Sequence, residues 1–119
     1  HGVGCFLNVH EGPQAISPNS RVNFKHGMIV SNEPGYYKKN DYGIRIENLI
    51  LAKVIKNNLK FETITFAPLE KQLIENKLLS KEEIKWINKY HAKVKKYLLP
   101  YMNKSQSKWL LEETKRITH

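Results

Sequence analysis

Apolar and polar positions change their period once along this 119-residue chain. Up to residue 68 the apolar positions come in short alternating runs, the pattern of half-buried strands. Four strands are predicted: Phe6 to His10, Met28 to Glu33, Ile44 to Lys53 and Leu59 to Phe66. In the third, Ile44 and Ile46 share one face while Arg45 and Glu47 share the other. Turn chemistry separates the runs: Gly12-Pro13, the polar stretch Ser17 to Ser20, Pro34-Gly35, and Asn40-Asp41 with Gly43. Pro34 also holds Glu33 in extended geometry, because a proline ring crowds the residue before it out of the helical region.

From residue 69 onward the spacing lengthens to three and four. Ser80 and Glu83 form a capping box, the signature of a helix start. Ile84, Ile87, His91 (or Tyr90), Val94 and Leu98 (or Tyr97) then give one apolar stripe, and Pro100 ends the helix. A shorter helix is expected from about Ser105 to Arg116, with Trp109, Leu110 and Ile117 as its stripe. All six glycines and four of the five prolines lie in residues 1–68, so the chain reads as α+β, strands first and helices after.

Composition narrows the class. A hydrophobic share of 40% and a charged share of 26% are those of an ordinary folded domain. Two large independent domains do not fit this length. The longest apolar run is the four residues Leu49 to Ala52, against about twenty for a membrane helix, so no membrane partner is expected. The net charge is +9, with +3 on residues 1–68 and +6 on residues 69–119. Such a charge attracts nucleic acid or acidic partners, or simply solvates a lysine-rich surface. Only three residues are arginine, the side chain suited to bidentate contact with bases and phosphates. The solvated surface is therefore favoured, and no nucleic-acid partner is expected. Cys5 has no second cysteine to pair with, which fits a reducing compartment and a packing role. The chain starts at His1 without an initiator Met or a leader pattern, from which a fragment of a longer protein is expected.

Residues 1–68 gather His1, His10, Glu11, Glu33, Arg45 and Glu47 among short apolar strands. An inward-facing pair of Arg45 and Glu47 needs a partner. That partner is either a structural salt bridge or a metal whose carboxylate ligand is steadied by the arginine. Histidine and carboxylate donors without cysteine suit manganese, zinc, iron or cobalt. Each residue alone is a weak signal, since a single histidine or Glu-Pro-Gly is more often structural.

Their combination is more specific. His1-Gly2-Val3-Gly4-Cys5-Phe6-Leu7-Asn8-Val9-His10-Glu11-Gly12-Pro13 resembles the histidine motif of the X-Pro aminopeptidases (aminopeptidase P). Gly27 to Tyr37, with Glu33-Pro34-Gly35, resembles their first glutamate motif, and Tyr42 to Leu49 resembles their second. Phe66-Ala67-Pro68-Leu69, Trp86 to His91 and Trp109-Leu110 are similar to the C-terminal extension of the long cytosolic type.

The resemblance implies the C-terminal half of a pita-bread metallopeptidase fold over residues 1–68, followed by a helical C-terminal extension over residues 69–119. It implies an enzyme that removes the residue preceding proline from the N-terminus of peptides, through a hydroxide bridging two divalent metals, with Mn2+ expected. His1, Glu33 and Glu47 match metal ligands. His10 matches a substrate-contacting histidine that steadies the tetrahedral intermediate, and Tyr37 a tyrosine near the substrate. Arg45 matches an arginine beside the bridging glutamate, and Glu33 doubles as a proton acceptor. A cytoplasmic location and a homodimer of the full-length enzyme are implied too. The family's two aspartate ligands have no counterpart among these residues, so the 119-residue chain by itself is expected to be inactive. The reading from a different class is a non-catalytic pita-bread relative that binds nucleic acid or a protein partner through its basic surface.

Overall fold

The computed structural model describes residues 1–118. It separates into two compact units, one ending at Thr65 and one beginning at Phe66.

The first unit is built on antiparallel strands: β1 (Gly2–Val3), β2 (Ile29–Asn32), β3 (Gly35–Tyr37), β4 (Gly43–Arg45), β5 (Asn48–Ile55) and β6 (Asn58–Thr63). The main sheet has the order β1-β2-β5-β6, and β3 and β4 form a separate two-stranded ribbon. Val30 and Ala52, both fully buried, mark its apolar centre. β5 and β6 are joined through Lys56 and Asn57, with Ile55 paired to Asn58. Both loop residues have positive φ, 49° and 62°. That is the conformation of a type I′ turn, whose twist matches that of the two strands.

One register organises the unit. β2 pairs with β5 so that Asn32 stands opposite Asn48. β3 pairs with β4 so that Gly35 stands opposite Arg45. The two ladders are in the same register, so they form one long ribbon interrupted at Glu33-Pro34 and Ile46-Glu47. Pro34 causes the interruption, because it has no N–H to give the ladder. Its carbonyl still accepts the Ile46 N–H at 3.2 Å. Glu33 and Glu47 therefore face each other at the break.

Two expected strands are corrected by this geometry. The run from Ile44 to Lys53 is not one strand, since residues 43–45 pair with β3 and residues 48–55 pair with β2. Phe6 to His10 is not a strand at all. There the Glu11 carboxylate accepts the backbone N–H groups of Phe6 (3.0 Å) and Asn8 (3.3 Å), and Leu7 takes a positive φ of 62°. The local carboxylate thus satisfies donors that a strand would send to a neighbour. Phe6, Leu7 and Val9 are left exposed, as is Cys5, which does not pack as expected. β6 also stops at Thr63 rather than Phe66.

The second unit carries α1 (Lys81–Leu98) and α2 (Lys104–Glu113). The capping box at Ser80 and Glu83 is present in both directions. Ile84, Ile87, Tyr90, His91 and Val94 are the buried face of α1. Pro100 lies in a single 3-10 turn that follows α1. α2 starts and ends earlier than expected: Asn103 and Gln106 form a second capping box, and the helix stops at Glu113. Thr114 then turns its hydroxyl onto the Leu110 carbonyl at 2.6 Å. Ile117 is buried, but beyond the helix, where the Asn88 side chain holds its backbone N–H (2.9 Å) and carbonyl (3.0 Å). Leu110 is fully buried, whereas Trp109 is half exposed.

His91 gives this unit a pH dependence. It is 1% exposed, and its Nε2 accepts the Leu69 N–H at 3.1 Å. The ring must then be neutral with its proton on Nδ1, which is buried and has no hydrogen-bond partner among the described residues. Burial, and then the charges of Lys71 and Lys95, hold its pKa below the ordinary histidine value. The folded state therefore binds fewer protons than the unfolded state, and stability rises with pH. The stabilisation is complete above the unfolded pKa of about 6.5 and is lost as pH falls from there towards the folded pKa. Thermal unfolding followed by the fluorescence of Trp86 and Trp109 will show a falling midpoint from pH 7.5 to 5. His91→Gln will flatten that slope, and an unchanged slope would contradict the assignment.

Candidate metal centre

Strand alternation explains why the ionisable residues converge. Gly2 of β1 pairs with Val30 of β2, so His1 comes opposite Ser31, and the Ser31 N–H donates to the His1 carbonyl at 2.9 Å. Glu33, two residues beyond Ser31, is on the same face as His1. Glu47 stands across the break from Glu33, and Arg45, two residues before it, is again on that face. His1, Glu33, Glu47 and Arg45 thus share one side of the ribbon through parity alone.

The side chains are in reach of one another. His1 Nε2 lies 3.6 Å from Glu33 Oε1. Arg45 spans both carboxylates, 3.8 Å from Glu33 Oε2 and 3.6 Å from Glu47 Oε2. Like charges directly opposite in a ladder destabilise it, and the guanidinium offsets that repulsion. The expected inward burial of Arg45 and Glu47 is not seen, because their side chains are 52% and 40% exposed within this chain. At these distances and exposures the ion pairs contribute about 1 kcal/mol or less. Their part is orientation: each Glu33 oxygen has its own neighbour, His1 on one side and Arg45 on the other.

His1 is also oriented. Its Nδ1 is 2.8 Å from the Gly2 carbonyl, which can only accept, so Nδ1 carries the proton. Nε2 is the ring nitrogen left facing Glu33. A backbone carbonyl fixing one ring nitrogen so that the other can ligate is the usual arrangement of metal-binding histidines.

His10 arrives from the loop. The Glu11 N–H donates to the Gly2 carbonyl at 3.0 Å, which brings its neighbour His10 beside His1, with ring centroids 4.2 Å apart. His1, His10 and Glu33 each offer a ligand atom within 4.8 Å of the others. Among the described residues no other group of three such side chains meets that criterion, and Glu47 is not in it. Tyr37 lies on β3 opposite Gly43, on the same side of the ribbon, and its ring covers Gly35 and Gly43. A side chain at Gly35 would meet the Tyr37 hydroxyl, so the glycine lets that hydroxyl point back towards the break. A pocket of about 290 Å³ opens at the site, lined by His1, Ile16, Ser31, Asn32, Glu33 and Pro34. Two larger apolar grooves elsewhere in the unit, one of them along Ile16, Val22, Phe24 and Leu59, hold none of the assembled carboxylates.

Two contributors were not assigned a role from sequence, Glu11 and Gly2. Glu11 ties the loop that presents His10, and Gly2 lets the chain pass against Glu11 and Gln14. The glycine beside His1 and the carboxylate beside His10 are the signals in the sequence, but neither has meaning until the loop closes.

The donor set fits a divalent metal. It offers two imidazoles and carboxylates, one imidazole with its tautomer fixed and one carboxylate with an arginine behind it.

Residues 1–53 match the family model described as metallopeptidase family M24, and residues 57–117 match the C-terminal region of that peptidase family. The chain is 46% identical to a probable Xaa-Pro aminopeptidase P of Coprinopsis cinerea, over 96% of its own length and 20% of that protein's. It is 41% identical to Xaa-Pro aminopeptidase 1 of Dictyostelium discoideum, over 97% of its own length and 20% of that protein's. An X-prolyl aminopeptidase of Caenorhabditis elegans, described as a cytosolic enzyme with a di-nuclear active site, superposes with a TM-score of 0.82 at 38% identity. That likeness covers 98% of this chain and 21% of the other. The chain thus spans about a fifth of the length of the relatives it matches, in their C-terminal part. With antiparallel strands and helical extension both accounted for, the chain belongs to metallopeptidase family M24.

Proposed function

We propose that this chain is the C-terminal part of an Xaa-Pro aminopeptidase, an enzyme that removes the N-terminal residue preceding proline from peptides. The observation that carries the reading is the pairing of His1 Nε2 with Glu33, the ring held in its ligating tautomer by the Gly2 carbonyl. His1, Glu33 and Glu47 hold two divalent ions, Mn2+ in this reading, together with ligands from outside these residues. The ions, when bound, supply Lewis-acid polarisation of the scissile carbonyl and lower the pKa of a nearby water.

The chain's own groups do the rest. Glu33 takes up a proton from the attacking water, and Arg45 keeps its carboxylate turned to the site. His10 and Tyr37 contact the peptide, and His10 donates to the oxygen where negative charge develops. The proton on His10 then matters at the moment of reaction, whereas Arg45 acts through Glu33 and is a positioning residue. The full-length enzyme works as a homodimer in the cytoplasm in this reading. No helix among the described residues is long and apolar enough to cross a membrane. A metal-free binding module is disfavoured, because all three matched ligand positions keep donor side chains.

The test is hydrolysis of a short peptide with proline second, by the full-length protein supplied with Mn2+, with products read by mass spectrometry. The expected result is release of the first residue alone, abolished by chelator and absent when alanine replaces proline. Cleavage elsewhere, or cleavage indifferent to chelator, would overturn the proposal.

A further inference from the structure

We propose that the lysine face of α1, with Trp86 and Tyr97 along its border, binds an acidic polypeptide segment of another protein. The face belongs to the second unit and shares no residue with the proposed metal centre.

Three observations carry it. First, the lysines are aligned. α1 carries six lysines and two glutamates in its 18 residues. At about 100° per residue, Lys85, Lys89, Lys93 and Lys96 fall within an arc of about 80° and follow one another at steps of about 4.5–6 Å along the axis. All four are exposed. Second, no ion pair among the described residues involves a lysine of α1. Glu83 is committed to the capping box with Ser80. Like charges four residues apart destabilise a helix, and a solvated helix face ordinarily interleaves the two signs. The helix dipole accounts for Lys95 and Lys96 in the last turn, but not for Lys85 and Lys89 in the first half. Third, the stripe has an apolar border. Trp86 and Tyr97 adjoin the Lys93 side of the arc and are 52% and 48% exposed. Trp86 stacks on Tyr90 with ring centroids 5.6 Å apart, and Tyr97 lies against Phe66 at 4.5 Å. The rings are already held in place, so ordering them on binding costs little. Tryptophan and tyrosine are the residue types that anchor interfaces.

The chemistry of the face selects among polyanions. α1 holds no arginine, so the planar fork that pairs with phosphates and base edges is missing. Its apolar side, with Ile84, Ile87 and Val94, is buried in its own unit, so the helix has none to lay into a lipid interface. Carboxylates at every third or fourth position of an acidic helix repeat at the same interval as the lysines. Such a helix lying along α1 meets each lysine in turn and sets an apolar neighbour against Trp86.

The test is fluorescence anisotropy of a labelled acidic helical peptide with the full-length protein. The peptide carries glutamate at every third or fourth position of one face, with leucine beside it. It is acetylated at its amino end and contains no proline, so the proposed peptidase activity does not consume it. We expect saturable binding that weakens as salt is raised. Lys85→Gln, Lys89→Gln and Lys93→Gln together will weaken it about tenfold. Trp86→Ala will weaken it about fivefold or more. Lys25→Gln, Lys39→Gln and Lys60→Gln together remove equal charge from exposed positions of the first unit, and will weaken it less than about twofold. The unfolding midpoint of the α1 triple variant will not fall, because the substitutions remove repulsion rather than pairing. A falling midpoint would mean that the lysines are already paired inside the full-length protein, and overturns the proposal. Equal losses in the two triple variants, or no binding by the unaltered protein, overturn it as well. Tighter binding of a single-stranded oligonucleotide or of anionic vesicles, lost with the α1 triple, would assign the face to another class of partner and overturn it too. None of these results touches the aminopeptidase reading, which peptide hydrolysis decides separately.

Discussion

Glu33→Gln in the full-length enzyme is expected to lower kcat/KM for an Xaa-Pro peptide by about 10³–10⁴-fold. The substitution keeps the shape of the side chain and removes its charge and basicity. In the proposed reading it takes one ligand from an ion beside His1 and the proton acceptor from the reaction, and it removes the charge of one of the two carboxylates that Arg45 spans. Stability will change little, by about 1 kcal/mol or less, since the ion pairs are long and part-exposed. A large loss of activity with little loss of stability separates a chemical role from a structural one. Metal content measured on the same preparation should fall below that of the unaltered enzyme. A variant retaining more than about a tenth of the activity would mean that Glu33 is not at the reacting centre.

Gly2→Ala is expected to damage both stability and activity. A Cβ at Gly2 would collide with the carbonyl oxygen of Glu11 and come within 2.8 Å of that of Gln14. Both obstacles are backbone, so neither can swing away as a side chain would. The strain costs about 1–3 kcal/mol. It is relieved only by moving β1 from the loop that carries His10 and Glu11. The Gly2 carbonyl accepts the Glu11 N–H and orients the His1 ring, so the same movement misplaces both histidines. A displacement of about 1 Å at reacting groups costs about 10²-fold in rate. Thermal unfolding and peptide kinetics on one preparation check both halves. A variant with wild-type midpoint and wild-type kinetics would contradict this account of the β1 corner.

The helical unit was largely legible because its rules are local. The Ser80–Glu83 capping box, the three-and-four spacing of Ile84, Ile87 and Val94, and Pro100 act within a few residues of one another. The strands were legible as segments but not as partners. Alternation from Ile44 to Glu47 gives way to Asn48 and the apolar run Leu49 to Ala52, but that change of pattern does not say that residues 43–45 and 48–55 pair with different strands. That division comes from Pro34, on the opposite side of the ribbon. Phe6 to His10 looked like a strand because its apolar residues suit one, yet the Glu11 carboxylate competes for its N–H groups and wins. At the site, the identities of His1, His10, Glu33, Arg45 and Glu47 were readable from their motifs. Their common face was not, since it depends on the register that puts Glu33 opposite Glu47. Nor was the part played by Gly2 and Glu11, which exists only once the loop has closed.

The most direct measurement is the anomalous-scattering map of a crystal of the full-length protein grown with Mn2+. The account predicts two peaks, with the His1 ring nitrogen and Glu33 within bonding distance of one and Glu47 within bonding distance of both. Peaks remote from these three side chains, or none with the metal in excess, would contradict the assignment of this chain's ribbon as part of a two-metal site.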